Sequence, residues 1–250
     1  MIKIKKLMLL MLAINTINAN NIIAKVPEAS GICYSKSSNT LFVANDEGSV
    51  FELSLDGKIL RKKKLGKYDL EGVACDDKNS NLLFAVEVDE SVLVVDKKSF
   101  TVKKEIKIKR TYKNKMVLKK DKEYGIEAIT IVNKEIYISN QSYKKYPNKD
   151  ASIVFKISKL RKNKKSKIED IIAHNFVDVA GLSYYKGFLY MLSDKKNLLI
   201  KYDIKKDKVI KKIKLDKFAG EGVTFDDNRN IYFADDEGSV LKYKMSELGL

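Results

Sequence analysis

Five copies of one strand-rich unit, a repeat spacing of 41 to 56 residues and almost no room for long helices predict an all-β chain folded as a five-bladed β-propeller. Each unit opens with a polar or acidic residue, a small residue and an apolar strand. The copies are Ser30-Gly31-Ile32, Glu71-Gly72-Val73, Glu127-Ala128-Ile129, Ala180-Gly181-Leu182 and Glu221-Gly222-Val223. A second strand ends 13 to 16 residues after that first polar residue, at Asn45, Glu87, Asn140, Ser193 and Asp235. Short runs rich in Val, Ile, Tyr and Phe, punctuated by Asn, Asp, Gly and Ser, are the grammar of strands and hairpins.

The connections follow the same logic. The polar clusters at 76–81 and 226–230 link first to second strands and read as turns, since neither has the sixth-position glycine and distal glutamate of a calcium loop. The ANDEGSV and ADDEGSV strings link second to third strands, with Gly48 and Gly238 free to take the left-handed conformation of a tight hairpin. The stretches 113–123 and 160–170, where the repeat spacing lengthens, read as loop insertions with room for a short helix each. The fifth unit supplies three strands, so the segment from Asn21 to Val26 is expected to pair outside them and close the ring. Six blades is the alternative, and it needs a further motif.

Propeller geometry brings the first strands together around a central channel. The ten positions that open first strands or end second strands hold five carboxylates and no lysine, in a chain whose formal charge is +16. Like charges so gathered call for a cation, a bound base or a raised pKa. Oxygen donors without Cys or His favour Ca²⁺ over zinc or copper. The alternative is structural: such side chains also satisfy backbone amides at blade mouths.

The first twenty residues stand apart from this pattern. Lys3, Lys5 and Lys6 precede the apolar run Leu7 to Ile14 and a polar segment ending at Ala19, which reads as a secretory signal over 1–19, with 20–250 a single propeller domain. Ile17, three residues before the expected cut, leaves an uncleaved N-terminal anchor as the alternative. Removing 1–19 leaves 46 − 33 = +13 charges on an exported, periplasmic protein. An oxidising compartment permits a Cys33–Cys75 disulfide, but the cysteines fall one position apart in equivalent strands, so two buried thiols are expected. His174, the sole histidine, has no G-x-S-x-G string beside it and reads as structural.

The basic residues are 45 Lys and 4 Arg, and many sit in KILRKKKLG, TVKKEIKIKR and KVIKKIKL, the expected outermost strands. Scarce arginine and export argue against nucleic acid; peripheral contact with anionic membrane lipid suits the charge better. Tyr112, Tyr143 and Tyr146 lie in the two long insertions and are candidates for a lid over one mouth.

The strings ASGICYSKSSNTLFVANDEGSVFELSLDGKIL, YDLEGVACDDKNSNLLFAVEVDES and FAGEGVTFDDNRNIYFADDEGSVLKY resemble the SdiA-regulated, YjiK-like family of exported bacterial propellers over roughly residues 22–245. That resemblance implies fold and cell-envelope location, and no reaction. More distantly, the strand starts are similar to calcium-dependent lactonase and esterase propellers, a likeness that implies Glu71, Glu221 and Asp235 as metal ligands with Asn45 and Asn140 supporting. Ala180 and the five repeats, where those enzymes have six blades, depart from it. The expectation is a monomeric binding module for a small molecule or envelope component over an acidic, Ca²⁺-binding mouth. The alternative is a Ca²⁺-dependent hydrolase of a lactone, ester or phosphoester, with Glu127 or Glu87 as general base.

Overall fold

The computed structural model describes residues 21–118, 125–146, 148, 151–161 and 165–250. The expected signal over 1–19 lies outside them. Five four-stranded antiparallel sheets form the five blades. Blade one is β2 (Ala29–Ser35), β3 (Thr40–Asn45), β4 (Ser49–Leu53) and β5 (Ile59–Lys64); blade two is β6 (Leu70–Asp76), β7 (Asn81–Val86), β8 (Ser91–Asp96) and β9 (Val102–Lys107). A small hairpin, β10 (Thr111–Tyr112) and β11 (Lys115–Met116), leads to blade three: β12 (Ile126–Val132), β13 (Glu135–Asn140), β14 (Val154–Ile157) and β15 (Ile168–Ile172). Blade four is β16 (Val179–Tyr185), β17 (Phe188–Ser193), β18 (Leu198–Asp203) and β19 (Lys208–Lys214). Blade five is β20 (Gly220–Phe225), β21 (Asn230–Asp235) and β22 (Ser239–Lys244), completed from outside by β1 (Ile22–Lys25).

The N-terminal strand therefore closes the ring as expected, with Lys25 opposite Ser239 and Ala24 opposite Val240. The innermost strands β2, β6, β12, β16 and β20 each touch the next, and β20 touches β2. One aromatic per blade sits two or three residues before the end of the second strand. These are Phe42, Phe84, Tyr137, Tyr190 and Tyr232, all buried. Burying such a side chain stabilises the fold by roughly 1.5–3 kcal/mol, so this repeated position anchors each blade.

The repeated small residue has a steric cause. A Cβ on Gly31 would lie 2.8 Å from the Gly72 Cα, one on Gly72 would lie 2.6 Å from the Glu127 carbonyl oxygen, and one on Gly222 would lie 2.8 Å from the Ile32 nitrogen. Neighbouring first strands approach so closely at these three positions that a Cβ has no room, while Ala128 fills the equivalent place in blade three. Gly48 and Gly238 take φ of 85° and 93° in their hairpins.

Two expectations are corrected. Neither long insertion holds a helix among the described residues. Residues 111–116 form the β10–β11 hairpin, and 168–172 are the outer strand of blade three. Residues 119–124, at the end of the first insertion, and 162–164, within the second, lie outside the described residues. Cys33 and Cys75 are joined in a disulfide, with Cα atoms 5.8 Å apart, and are not thiols. Each blade packs one face against the blade before it and the other against the blade after. Side chains from opposite faces of adjacent blades therefore meet, and the opposite-face argument that separated the cysteines is what joins them.

Candidate functional site at the acidic mouth

Antiparallel alternation puts the start of every first strand and the end of every second strand at one mouth of the channel. The first-to-second strand pairing is irregular at the same place in all five blades. Breaks fall between Ala29 and Gly31, Leu70 and Gly72, Ile126 and Ile129, Val179 and Gly181, and Gly220 and Gly222. The residue left unpaired in four of these bulges is Ser30, Glu71, Ala180 or Glu221, and Glu127 lies within the irregular stretch of the fifth. A bulge re-aims its side chain. Here it combines with the close approach of the strands to crowd Glu71, Glu127 and Glu221 together.

The crowding shows in their acidities. Burial pushes Glu127 well above the carboxylate range, reinforced by the charges of Glu71, Glu221, Glu87 and Asp178. Glu71 is raised in the same way by burial and then by Asp69, Glu87 and Glu221. Glu221 is pushed up to about 8 by burial, with Asp194, Asp178, Asp236 and Glu87 adding. Glu87, at the end of the second strand, is raised to about 7 by burial and Asp69, although the Gly125 amide donates to its Oε1 at 2.9 Å.

Glu71, Glu221, Glu127 and Glu87 are thus brought into one electrostatic cluster. Asn45, Asn140 and Asp235 are placed differently. The Ser49 amide donates to Asn45 Oδ1 at 2.8 Å, the Ile153 amide to Asn140 Oδ1 at 3.0 Å and the Glu237 amide to Asp235 Oδ1 at 3.2 Å. All three side chains close second-to-third strand turns. Ser30 and Ser193 serve the backbone too, donating to the carbonyl oxygens of Leu70 and Val177 at 2.7 and 2.6 Å.

Five acidic residues that the repeat reading passed over complete the site. Carboxylate oxygens of Asp69, Glu71 and Glu87 all lie within 4.8 Å of one another, the spacing of a cation cage. A second trio, Glu28, Asp46 and Asp236, has the same spacing at the seam of blades one and five. Asp178 is 3% exposed, its Oδ2 accepts from the Lys195 amide at 3.0 Å, and its buried Oδ1 has no hydrogen-bond partner among the described residues. The signal for these residues was in the repeat, one step outside the positions read. Two residues before the motif stand Glu28, Asp69 and Asp178; one residue after the second strand stand Asp46, Asp194 and Asp236.

The loops after β9 and β13, which carry Tyr112 and Tyr143 with Tyr146, open at this same end, whereas β14 and β15 are joined at the other. Tyr112 is half-buried against the blade-three core, whereas Tyr143 and Tyr146 are exposed, with Lys195 Nζ 5.5 Å from the Tyr143 ring centre. His174 is buried; its Nδ1 accepts from the Phe176 amide at 3.1 Å and burial lowers its pKa to about 4. Nδ1 is therefore unprotonated and Nε2 carries the proton, so no base is presented at Nε2.

The solved structure of Myxococcus xanthus glutaminyl cyclase is similar to this chain at 12% identity, with a TM-score of 0.60 over 89% of this chain and 92% of that one. The β-propeller domain of Myceliophteria thermophila Cps50 (Swd1) is similar at 8% identity and a TM-score of 0.53, covering 90% and 99%. At those identities the likeness is one of fold. No curated protein matches this chain in sequence. The SdiA-regulated family matches residues 13–240, and the chain belongs to that family.

Proposed function

We propose that this SdiA-regulated propeller is an exported cell-envelope binding module whose acidic mouth takes Ca²⁺ and, over it, a small molecule or envelope partner. One observation carries the reading. Four loop positions in each of five blades face the mouth, and these twenty hold eleven carboxylates and no lysine, in a chain with 49 basic residues. Asp69, Glu71 and Glu87 would hold the ion, with Glu127 and Glu221 supplying further negative charge. Asp178 Oδ1, without a partner among the described residues, is a further acceptor in the same electrostatic network. An all-oxygen donor set of this kind suits a hard cation with six to eight ligands at about 2.3–2.6 Å. Bound Ca²⁺ would offset the burial and like-charge repulsion that raise the pKa values of these glutamates.

The hydrolase reading needs, besides the ion, a free carboxylate beside a metal-bound water. Glu87 is oriented for such a role by the Gly125 amide, but it is also part of the cation trio. The binding reading needs no such division of labour. The test is a thermal melt of the full chain in EDTA and then in millimolar Ca²⁺, with Mg²⁺ as control. A ligand selective for the native state raises Tm by mass action. A rise specific to Ca²⁺ and lost in Asp69→Asn with Glu71→Gln supports the site; an unchanged melt removes it.

A further inference from the structure

The third residue of every second strand packs toward the following blade. These residues are Phe42, Leu83, Tyr137, Tyr190 and Tyr232, each in the core of its own seam. Four are aromatic, and blade two alone has Leu. The neighbour on the third strand changes with it: Glu52, Lys156, Lys201 and Lys242 stand opposite the four aromatics, whereas Val94 stands opposite Leu83. Putting Leu and Val where the other blades put a ring and a long side chain takes volume out of this row, in a fold that is otherwise close-packed.

A cleft of about 1100 Å³ lies at that row, between blades two and three and at the end of the ring away from the acidic mouth. Its volume is that of a site for a small organic molecule. Leu83 and Val94 form one wall, and Ile131, Ile136 and Ile157 of blade three face them. Lys104, opposite Val94 on β9, donates from Nζ to the Leu160 carbonyl at 2.9 Å and so ties the two blades together. Around the opening Lys78, Lys134, Lys159 and Lys167 are exposed. Among the described residues that line the cleft seven are basic and four acidic. Two of those acids are already engaged by lysines outside the lining, Asp77 by Lys97 at 2.5 Å and Glu135 by Lys156 at 3.1 Å. The cleft is therefore apolar within and cationic at its rim.

In two other seams the equivalent ring already has a cation over it. Lys242 Nζ lies 5.5 Å from the Tyr232 ring centre and Lys201 Nζ 5.9 Å from that of Tyr190. An aromatic ring beside a cation is favourable in such a setting. We propose that the cleft between blades two and three binds a small aromatic anion, an aryl carboxylate, phosphate or sulfonate. Its ring takes the place beside Leu83 that four blades fill with Phe or Tyr, and its anionic group meets the rim lysines. Nothing in this depends on what the mouth holds.

The probe is anilinonaphthalene sulfonate, an aryl anion whose emission rises when its rings leave water. The full chain should give a saturable enhancement. Leu83→Tyr, which gives blade two the kind of residue its sister blades have, should weaken binding at least about tenfold with Tm held or raised, because it fills the cleft from within. Lys134→Glu with Lys167→Glu changes only exposed side chains and should weaken binding about fivefold or more, while Lys208→Glu with Lys212→Glu on distant β19 should cost less than about twofold. Should Leu83→Tyr fail to fold, the two lysine pairs decide. Unchanged affinity in a folded Leu83→Tyr, equal losses from the two lysine pairs, or no saturable enhancement in the parent would overturn the proposal.

Discussion

The innermost and outermost strands of each blade answer to opposite demands. An innermost strand is largely buried on both faces and begins at a pairing irregularity, which in blades two, three and five crowds an acidic side chain into the mouth. An outermost strand such as β5 or β19 has a free edge and carries lysines along it. Both occur in the same four-stranded sheets, and a few residues of chain join an outermost strand such as β5 to the innermost strand of the next blade, β6. The difference shows how a strongly basic protein keeps an acidic centre: topology sends repeat-start residues to the axis and strand-four residues to the rim, so charge segregates without any domain boundary. The axis is costly in electrostatics and steric fit, and the rim is cheap in both.

The comparison breaks most severely at the axis. Gly72→Val would drive its Cβ into the Glu127 carbonyl, 2.6 Å away, where backbone must move. We expect destabilisation of at least about 4 kcal/mol in chemical denaturation, while Lys211→Ala on the rim stays within about 0.5 kcal/mol. Equal effects would mean that the inner strands do not need their close approach.

The second break is covalent. The disulfide links first strands of adjacent blades across 42 residues of chain, and closing a loop of that size contributes roughly 4 kcal/mol by the chain-entropy account. Cys33→Ala with Cys75→Ala should lower Tm by on the order of 10 °C. A variant as stable as the parent would contradict a native bridge.

A smaller effect sharpens the electrostatic side. Glu221 has a folded pKa of about 8 against an ordinary 4.5. Below 4.5 the folded and unfolded chains both hold its proton; between 4.5 and 8 only the folded chain does, so its contribution to stability falls as pH rises and is fully lost above 8. In EDTA, the Tm difference between pH 6 and pH 9 should shrink in Glu221→Gln, since that side chain no longer titrates. A Tm difference identical in the two proteins would place Glu221 in solvent rather than in the crowded mouth.

Blade number, ring closure by the first strand and the glutamates at the axis were legible because a repeat converts sequence position into spatial equivalence. Asp69 and Asp178 were missed because the repeat was read at two positions per blade, although both also occupy a recurrent place two residues ahead of the motif. The disulfide was misjudged for a different reason. Side-chain alternation was applied within one sheet, whereas the contact lies between two sheets that face each other. The turn roles of Asn45 and Asn140 depend on whether a short polar side chain bends back to an amide three or more residues on, which spacing does not decide. The stretch 160–170 is polar and lysine-rich enough to suggest a helix, but β14 leaves an edge that β15 satisfies.

The most direct measurement is a calorimetric titration of Ca²⁺ into the chelator-treated full chain and into Asp69→Asn with Glu71→Gln and Glu87→Gln. The account predicts saturable binding in the parent, with protons released as the raised glutamates ionise, and its loss in the triple variant. Unchanged binding in the variant, or no binding in the parent, would contradict a cation site at the mouth.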